Sequence, residues 1–188
     1  MSSEAGTRIR RALADDARAI ANVRVEGWRT AYRGLIPDAY LDGMRVEASE
    51  ALWQRVLGAA PNRTCVFVAE HDGDVVGFGA GNMLDPPKLG CDAELTAIYL
   101  LSSHRRTGIG RRLVSAVAAT QRSFGATSLL TWVIAGNRPA RAFYEALGAE
   151  LLVEQPFQWD GMDLLEAGYA IRDIDRLIAD GGAAAVLH

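Results

Sequence analysis

The chain has 188 residues, of which 49% are apolar and 23% are charged, and its formal net charge is −3 at pH 7. This length and composition predict one buried hydrophobic core and exclude the disordered and fibrous classes. The slightly negative charge argues against general binding to nucleic acid or to membrane surfaces.

The cysteines, the histidines and the apolar runs bear on metal binding and location. Cys65 and Cys91 show no CxxC or metal-type spacing, and His71, His104 and His188 are scattered along the chain. We therefore expect reduced thiols and no bound metal. The N-terminal residues lack the apolar stretch of a signal peptide, and no run approaches the roughly 18 apolar residues of a membrane span. These features predict a cytoplasmic protein.

Strand and helix patterns alternate along the first third of the chain. Residues 7–13 are strand-like, and Asp15 is predicted to cap a helix that runs to about Tyr32. Trp28 lies four residues before Tyr32, so the two rings share a face of this helix. A glycine and a proline then interrupt the pattern, and a second helical region is predicted over residues 37–57.

The next segment is a predicted hairpin with one bare face. Residues 65–70 and 75–81 have the composition of strands and flank an Asp-Gly turn. Gly77, Gly79 and Gly81 leave one side of the second strand almost without side chains. Close approach of a helix or of a ligand explains such a face, and a packed helix is the commoner cause.

A second strand, turn and helix succession follows. A loop is predicted at residues 85–90 and a strand at residues 92–101, where every odd position is apolar. A glycine-rich turn then leads into an amphipathic helix that runs to about Phe124, and residues 127–134 form the next predicted strand.

The last elements complete a single mixed α/β sheet. Asn137 is predicted to cap a helix that ends at Gly148, and two final strands, 151–159 and 162–171, meet at an Asp-Gly turn. The element order is β-α-α-β-β-β-α-β-α-β-β, with no linker that indicates a second domain. We expect a domain over residues 7–171 between a flexible N-terminus (1–6) and a short helix with a mobile tail (172–188).

The turn within HRRTGIGRRLV is the chemically most distinctive segment. A strand ends here, four arginines bracket two glycines, and a helix begins. Unpaired N–H groups at a helix start favour an anion, and Gly108 and Gly110 let it approach the backbone. Arginine side chains suit phosphate oxygens. The segment therefore predicts a phosphate or pyrophosphate site.

Other interpretations of this turn fit less well. A dinucleotide fingerprint requires a glycine where Leu113 stands, and a position after the first strand. A Walker A loop requires lysine and then serine or threonine where Arg111 and Arg112 stand. The net charge disfavours nucleic acid. A solvated helix start accounts for the arginines but leaves the paired glycines unexplained.

Two segments together resemble the GNAT acetyltransferase family. Arg105-x-x-Gly108-x-Gly110, led by AIYLLSSH and followed by RRLV, looks like its coenzyme-A-binding motif. NRPARAFYEALGA, which starts at Asn137, is similar to its Asn-x-x-Ala-x-x-Phe-Tyr-x-x-x-Gly segment. The resemblance implies a single-domain fold with a mixed, mostly antiparallel sheet flanked by helices. The chain departs from the family in lacking the proline that members often carry near Ser102.

The resemblance implies a role for each matching position. It implies acetyl-CoA as the co-substrate, with its pantetheine arm paired to strand backbone and its pyrophosphate held by backbone N–H groups. Arg105 and Arg106 would lie near the phosphates, and Tyr144 would lie beside the sulfur. The implied cofactor-binding residues are Ile98, Tyr99, Leu100, Arg105, Arg106, Thr107, Gly108, Ile109, Gly110, Arg111, Asn137 and Tyr144.

Acetyl transfer to an amine needs a base and a hydrogen-bond donor for the leaving thiolate. An alkylammonium group with a pKa of about 10 is roughly a thousandfold protonated at neutral pH, a deficit of about 4 kcal/mol. Glu94 is the predicted base and Tyr144 the predicted acid, and the N–H of Leu100 would polarise the thioester oxygen. The alternatives are a solvent-facing Glu94 and a Tyr144 that only packs. An acyl-cysteine route through Cys91 is disfavoured, because no histidine stands in a partner position.

The acceptor is expected to bind on the N-terminal half. GWRTAYRGLIP resembles a segment of some GNAT proteins, which implies that Trp28 and Tyr32 line the acceptor pocket and that the loop at 85–90 closes it. Packing between helix and sheet is the other explanation for this ring pair. The predicted function is acetylation of a primary amine on a small molecule or peptide, with a possible homodimer. A non-catalytic acyl-CoA sensor and a transferase for another acyl-CoA remain alternatives.

Overall fold

One sheet of seven strands organises the chain in this computed structural model, which describes residues 6–59 and 62–182. The strands lie in the order β1-β2-β3-β4-β5-β7-β6. β4 and β5 are parallel, and the other neighbouring pairs are antiparallel, so the predicted mixed sheet is confirmed. The strands are β1 (Arg8–Arg11), β2 (Thr64–His71), β3 (Asp74–Lys88), β4 (Cys91–Leu100), β5 (Leu129–Ile134), β6 (Glu150–Trp159) and β7 (Met162–Ile171).

Helices cover the two faces of the sheet unequally. On one side, the α1 face, Ile20 and Trp53 pack with Phe78 of β3. On the other side, the α4 face, Leu113 and Val117 of α4 are fully buried in the largest core cluster. The helices are α1 (Ala17–Ala31), α2 (Asp38–Gly43), α3 (Val46–Leu57), α4 (Ile109–Ser123), α5 (Arg138–Ala146) and α6 (Ile174–Gly181).

The start of α1 differs from the prediction. The carboxylate near the helix start is Asp16 and not Asp15, and a short 3-10 turn over Ala14–Asp16 precedes α1. Asp16 accepts from the N–H of Leu13 at 2.7 Å and from both terminal nitrogens of Arg10 at 2.7 and 2.9 Å. The Arg10 guanidinium lowers the pKa of Asp16 despite the burial of this carboxyl. The ion pair thus fixes the connection between β1 and α1.

The second predicted helix is in fact two helices. The region predicted as one helix over residues 37–57 divides at Met44 and Arg45, which are extended. Arg29 of α1 donates to the carbonyls of Leu41 and Met44 at 3.0 and 2.9 Å. These bonds satisfy carbonyl groups at the end of α2. In one continuous helix, backbone N–H groups of the following turn would have bonded them instead.

The glycine face of β3 is covered by a helix. A Cβ at Gly79 would lie 3.5 Å from Leu113 and 3.6 Å from Val117, both on α4. A Cβ at Gly81 would lie 2.7 Å from the backbone oxygen of Glu94. The helix-packing explanation of the bare face is therefore confirmed. The glycines bring α4 close to the sheet, which fixes where the turn before α4 can lie.

The segment predicted as a loop at residues 85–90 is largely strand. β3 continues to Lys88, and β4 begins at Cys91. Leu89 and Gly90 form the tight connection, both with positive φ (50° and 70°). Regular pairing lapses between Met83 and Lys88, where two prolines lack the N–H that the ladder requires. The prolines account for the loop prediction, but the chain stays extended.

An irregularity at Thr96 exchanges the two faces of β4. Leu95 pairs with Gly81 and Ala97 with Ala80, so Thr96 is an extra residue on β4. Before it, Leu95 points to the α4 face; after it, Ile98 points there instead. Glu94 pairs with Asn82 and therefore lies on the α1 face, together with Tyr99. Strict alternation along 92–101 predicts that Glu94 shares a face with Ile98, and this prediction is wrong because of the extra residue.

The C-terminal region docks onto α4. Ile174 and Leu177 of α6 are buried in the same cluster as Leu113. The hydroxyl of Ser115 on α4 donates to the carbonyl of Ile178 at 3.2 Å. The end of the predicted tail, residues 183–188, lies outside the described residues, as do residues 1–5 of the predicted N-terminus.

Candidate active site

β4 and β5 pair only at their beginnings, so a gap opens between them. Their parallel register runs from Ala93 opposite Leu129 to Leu95 opposite Thr131. Beyond that point β4 keeps its pairing with β3, as far as Leu100 opposite Gly77. The gap thus lies at the carboxyl ends of two parallel strands, where open α/β sheets commonly bind ligands.

Backbone groups of β4 face this gap. The N–H of Leu101 donates to the carbonyl of Val76 on the β3 side at 2.9 Å. Successive N–H groups of a strand point to opposite edges, so those of Ile98 and Leu100 point away from β3. Within the described residues, no strand pairs with them on that side. Residues 98–100, predicted to pair with the cofactor as a strand would, therefore have backbone groups on the side of the gap that pair with no described strand.

The glycine-rich turn follows directly from β4. Arg106 and Gly108 have positive φ values of 61° and 84°, and α4 begins at Ile109, which is buried. The hydroxyl of Thr107 donates to the carbonyl of His104 at 2.6 Å and holds the turn. A Cβ at Gly108 would meet no atom within 4 Å, so its surroundings are open. The unpaired N–H groups at the start of α4 are thus accessible to an anion.

The arginines around this turn divide into two groups. Arg111 donates to the carbonyl of Ala146 at 3.2 Å, and Arg112 donates to the carbonyl of Thr7 at 2.9 Å, so both hold neighbouring segments. Arg105 has one long hydrogen bond, 3.4 Å, to the carbonyl of Leu100. Arg105 and Arg106 are exposed beside Gly108. These two are the side chains placed to meet phosphate oxygens.

Helix α5 forms the other side of the gap. The side chain of Asn137 accepts from the N–H of Ala140 at 3.2 Å, which confirms the predicted cap. Phe143 lies against Gly110, where a Cβ would be 3.2 Å from its ring, so α5 packs at the start of α4. Tyr144 is 6% exposed, and its burial raises its pKa to about 12 against the effect of the Thr131 hydroxyl. Its phenol is therefore protonated at neutral pH.

Two further tyrosines approach from the α1 face. The hydroxyls of Tyr32 and Tyr99 lie 3.4 Å apart. A Cβ at Gly27 of α1 would be 2.7 Å from the Tyr99 ring, so this glycine lets Tyr99 lie directly against the helix. Burial raises the pKa of Tyr99 well above its ordinary value, and a charge on Tyr32 or Tyr144 would raise it further. Three phenols from α1, β4 and α5 thus lie close enough to influence one another.

Glu94 is partly buried on the α1 face. Burial raises its pKa, the negative charge of Glu166 raises it further, and the positive charge of Lys88 lowers it. A carboxylate with a raised pKa is a better general base near neutral pH than an exposed one. Its position away from Ile98 puts it on the face of the strand that carries Tyr99. Its side chain is half-buried, between the two alternatives that the sequence left open.

A cavity of about 170 Å³ adjoins the gap on the α1 face. Trp28 and Tyr32 line it, with ring centroids 4.9 Å apart, so the ring pair reaches the pocket. Trp28 is also 92% buried by packing against Ile36, Leu41 and neighbouring aromatic rings, and the packing explanation therefore holds as well. The remaining wall comes from β5, β6 and β7 and consists of Trp132, Val133, Ile134, Phe157, Trp159, Leu164 and Glu166.

The sequence did not predict the wall formed by β5, β6 and β7, nor the position of Lys88 beside it. Lys88, in the segment predicted to close the pocket, lies with Nζ 4.6 Å from the Trp132 ring centroid. Apolar residues alternate at Phe157 and Trp159, which indicates that they share a face. That pattern carries no information about which helix lies opposite them. The pocket appears only when β7 is placed between β5 and β6.

The cysteines and the described helices also bear on the predicted chemistry. Cys91 is fully buried, and burial raises the pKa of its thiol, which disfavours the nucleophilic thiolate. Among residues 6–59 and 62–182, no group of three or more His, Cys, Asp or Glu side chains could hold a metal ion. Within the same ranges, no helix has the length and apolar character needed to cross a membrane.

Similarity to known proteins agrees with this geometry. The sequence profile of the acetyltransferase (GNAT) family matches residues 26–149. The uncharacterised N-acetyltransferase YuaI of Bacillus subtilis is 35% identical over 170 residues, which cover 90% of this chain and 95% of that protein. An N-alpha-acetyltransferase of Sulfurisphaera tokodaii is 34% identical over 106 residues, 52% of this chain and 64% of that protein.

A solved structure supports the fold. PaiA N-acetyltransferase from Thermoplasma acidophilum, in complex with coenzyme A, superposes with a TM-score of 0.68 over 89% of this chain and 99% of that chain. At 18% identity this likeness concerns the fold. The family match and the YuaI relationship extend beyond the fold to sequence. The chain therefore belongs to the GNAT family and is an N-acetyltransferase.

Proposed function

We propose that this enzyme transfers the acetyl group of acetyl-CoA to a primary amine of a small molecule or peptide, by direct attack in a ternary complex. The observation that carries the proposal is the gap between β4 and β5. An anion-binding turn borders it at Gly108, a protonated phenol borders it at Tyr144, and a carboxylate of raised pKa lies on its acceptor side at Glu94.

The residues around the gap fit an acyl-CoA. Gly108 leaves the helix start open, and Arg105 and Arg106 stand exposed beside it. The N–H and the carbonyl of Ile98 would offer strand-type hydrogen bonds to the amides of a pantetheine arm. The structure of PaiA, which has this fold, was solved in complex with coenzyme A. Acetyl-CoA would supply the activated acetyl group, as a thioester.

Glu94 would remove the proton from the acceptor. An alkylammonium is roughly a thousandfold protonated at neutral pH, which costs about 4 kcal/mol if the amine must arrive neutral. Burial and the neighbouring charge of Glu166 bring the pKa of Glu94 upward, toward the working range of a base. Proton transfer takes place directly or through one water molecule.

Tyr144 would act on the leaving sulfur mainly as a hydrogen-bond donor. An ordinary thiol has a pKa of about 8.5, whereas that of Tyr144 is about 12. Complete proton transfer from the phenol to a thiolate is therefore uphill by about 5 kcal/mol, at 1.36 kcal/mol per pKa unit. A hydrogen bond to the developing thiolate has no such cost, and the leaving sulfur takes up the proton that the attacking nitrogen loses as the C–N bond forms and the C–S bond breaks. The N–H of Leu100 is directed into the gap, where it would polarise the thioester oxygen.

The test is a panel of primary amines incubated with acetyl-CoA, with detection of released CoA. Release that depends on an amine and is at least about tenfold lower in Glu94→Gln at pH 7 supports the proposal. Asp92→Asn, which removes a carboxylate two residues away on β4, is the control, with its Tm measured alongside because Asp92 accepts hydrogen bonds from Thr127 and Ser128. Stabilisation of the protein by acetyl-CoA, propionyl-CoA or succinyl-CoA without CoA release from any amine would favour an acyl-CoA sensor. Faster release from one of the longer thioesters would identify a different acyl donor.

A further inference from the structure

The acceptor side of the gap contains an unusually aromatic cavity. Three of the four tryptophans of the chain, Trp28, Trp132 and Trp159, line it. Tyr32 and Phe157 add two more rings, and Trp28 and Trp159 lie with ring centroids 5.5 Å apart. The cavity has a volume of about 170 Å³. A ligand bound here is small and is surrounded by rings.

Few charged side chains lie at this cavity: carboxylates within it or near it, and two cations, Lys88 and Arg24, that stack on the rings of Trp132 and Trp28. Glu166 is the single charged residue of its wall, and it accepts a hydrogen bond from Gln155 at 2.8 Å. Glu94 lies on the same sheet face, close enough for its charge and that of Glu166 to interact. These two carboxylates would attract one ammonium group. In the ring-lined part, the other polar side-chain groups are the Tyr32 hydroxyl and the indole N–H groups, of which that of Trp28 is buried without a hydrogen-bond partner among the described residues.

One ammonium group already lies on a ring of this cavity. The side chain of Lys88 places Nζ 4.6 Å from the Trp132 centroid, within cation–π range. The outer face of Trp132 therefore accepts an alkylammonium in the presence of both carboxylates. Lys88 is exposed and comes from the β3–β4 hairpin, so it can be displaced without disturbing the core.

We propose that this cavity holds the carbon skeleton of the acceptor, and that the acceptor is a monoamine with an aromatic or branched apolar group of about phenyl size. This assignment rests on the proposed acetyl transfer. The apolar group would fill the ring-lined space between Trp28, Phe157 and Leu164. The ammonium would lie toward Glu94, beside the Tyr32 and Tyr99 hydroxyls.

Multiply charged or polyhydroxylated amines match this cavity poorly. Each additional ammonium or hydroxyl would lose its hydrogen bonds to water on entering. The wall offers Glu166 and the Tyr32 hydroxyl as polar side chains, and the Tyr32 hydroxyl already contacts Tyr99. We expect kcat/KM to be much higher for amines that carry a large apolar group than for those that lack one. Sites lined by apolar groups distinguish ligands mainly by the apolar surface that they bury.

The first experiment compares three probe amines: 2-phenylethylamine, ethylamine and 1,4-diaminobutane. We expect kcat/KM for CoA release to be at least about tenfold higher for 2-phenylethylamine than for either of the others. We also expect 2-phenylethylamine to change the intrinsic tryptophan fluorescence, since three of the four tryptophans line the cavity. Equal or higher kcat/KM for ethylamine or 1,4-diaminobutane would overturn the assignment.

A matched pair of substitutions tests the location. Leu164 lines the cavity, whereas Leu165, the next residue, is 45% exposed on the other face of β7. Leu164→Trp would fill the space and lower kcat/KM for 2-phenylethylamine at least about tenfold, while ethylamine changes by less than about twofold. Leu165→Trp adds the same side chain outside the cavity and leaves both values near wild type. Equal effects of the two substitutions would contradict the proposal.

A second variant covers the case in which Leu164→Trp does not fold. Glu166→Gln keeps the size of the side chain and an oxygen that can accept from Gln155. We expect it to raise KM for 2-phenylethylamine severalfold, while the rise in Tm caused by acetyl-CoA stays the same. An unchanged KM would contradict the role of Glu166 in attracting the ammonium.

The same measurements separate this proposal from the proposed transfer. A fluorescence change with 2-phenylethylamine, but no CoA release from any amine, would refute the transfer and support the cavity assignment. CoA release that is fastest with 1,4-diaminobutane would support the transfer and refute the cavity assignment.

Discussion

The two halves of the proposed site, one for the acetyl-CoA donor and one for the acceptor, are built from different parts of the chain. The donor half consists mainly of backbone: the N–H groups of Ile98 and Leu100 and the open start of α4 at Gly108. The acceptor half consists of side chains, namely rings and carboxylates from five elements: α1, β4, β5, β6 and β7. A site made of backbone is sensitive to changes of conformation at a few positions, and most side chains near it can vary. A site made of side chains changes its specificity with each substitution in its wall.

The largest expected effect is at the glycine of the donor half. Gly108→Glu places a carboxylate at an open helix start and is expected to weaken acetyl-CoA binding at least about a hundredfold, or about 2.7 kcal/mol. The rise in Tm caused by acetyl-CoA would disappear. The left-handed backbone costs a non-glycine residue only about 1–2 kcal/mol, so the fold should persist.

Gly125→Glu is the matched control for this substitution. Gly125 follows the other end of α4, has a φ of 99°, and has open space where a Cβ would stand. It introduces the same charge and the same kind of backbone strain away from the gap. The rise in Tm caused by acetyl-CoA should therefore persist in Gly125→Glu. An equal loss in both variants would mean that strain, and not a lost anion site, explains the result.

The next effect concerns the phenol between the two halves. Tyr144→Phe should lower kcat about tenfold to a hundredfold, because a hydrogen-bond donor to the leaving sulfur is lost. KM for acetyl-CoA should change less than about twofold. Tyr169→Phe is the control, since its ring lies 6.2 Å from that of Tyr144 and its hydroxyl instead bonds Arg141 and Glu145. Equal rates for wild type and Tyr144→Phe would refute the role.

A smaller effect is expected on the pH dependence, with opposite signs for two variants. Glu94 must be deprotonated to act as a base, so kcat falls as the pH drops through the pKa of Glu94. Lys88→Met removes a charge that lowers this pKa, and the acid limb of the kcat profile should move to higher pH. Glu166→Gln removes a charge that raises it, and the limb should move to lower pH. Shifts in the same direction would show that Glu94 is not the titrating base.

The smallest effect is expected at the buried thiol. Cys91→Ala should leave kcat within about twofold of wild type, because direct attack requires no acyl-cysteine. The substitution removes a fully buried sulfur beside Leu130 and Ala170, so a small fall in Tm is expected. Near-complete loss of activity in a variant with a normal Tm would overturn direct transfer.

The donor half could be predicted from sequence because its parts are contiguous. The glycines before α4 and the cap at Asn137 each act within a few residues, and the structure confirms the turn and the cap. The acceptor half could be predicted only in part. Trp28 and Tyr32 were predicted from the resemblance of GWRTAYRGLIP to a segment of some GNAT proteins, but their partners Phe157 and Trp159 depend on the strand order β5-β7-β6, which no local pattern determines.

The sheet face on which Glu94 lies could not be predicted either, for a different reason. Strict alternation along β4 would put Glu94 and Ile98 on one face, and a single extra residue at Thr96 reverses this. In the sequence, this irregularity corresponds to a change along the even positions of residues 92–100, which are polar up to Thr96 and apolar after it. The same trace arises when a strand simply enters the core, so the sequence alone does not distinguish the two cases.

The hairpin that carries Lys88 has a practical consequence. Lys88 is the single lysine of the sequence, and the other 19 of its 20 basic residues are arginines. Amine-reactive reagents will therefore label one side chain, apart from the terminal amine, and that side chain lies over Trp132 at the rim of the cavity. A dye attached there would report arrival and departure of the acceptor in real time, without any change to the sequence.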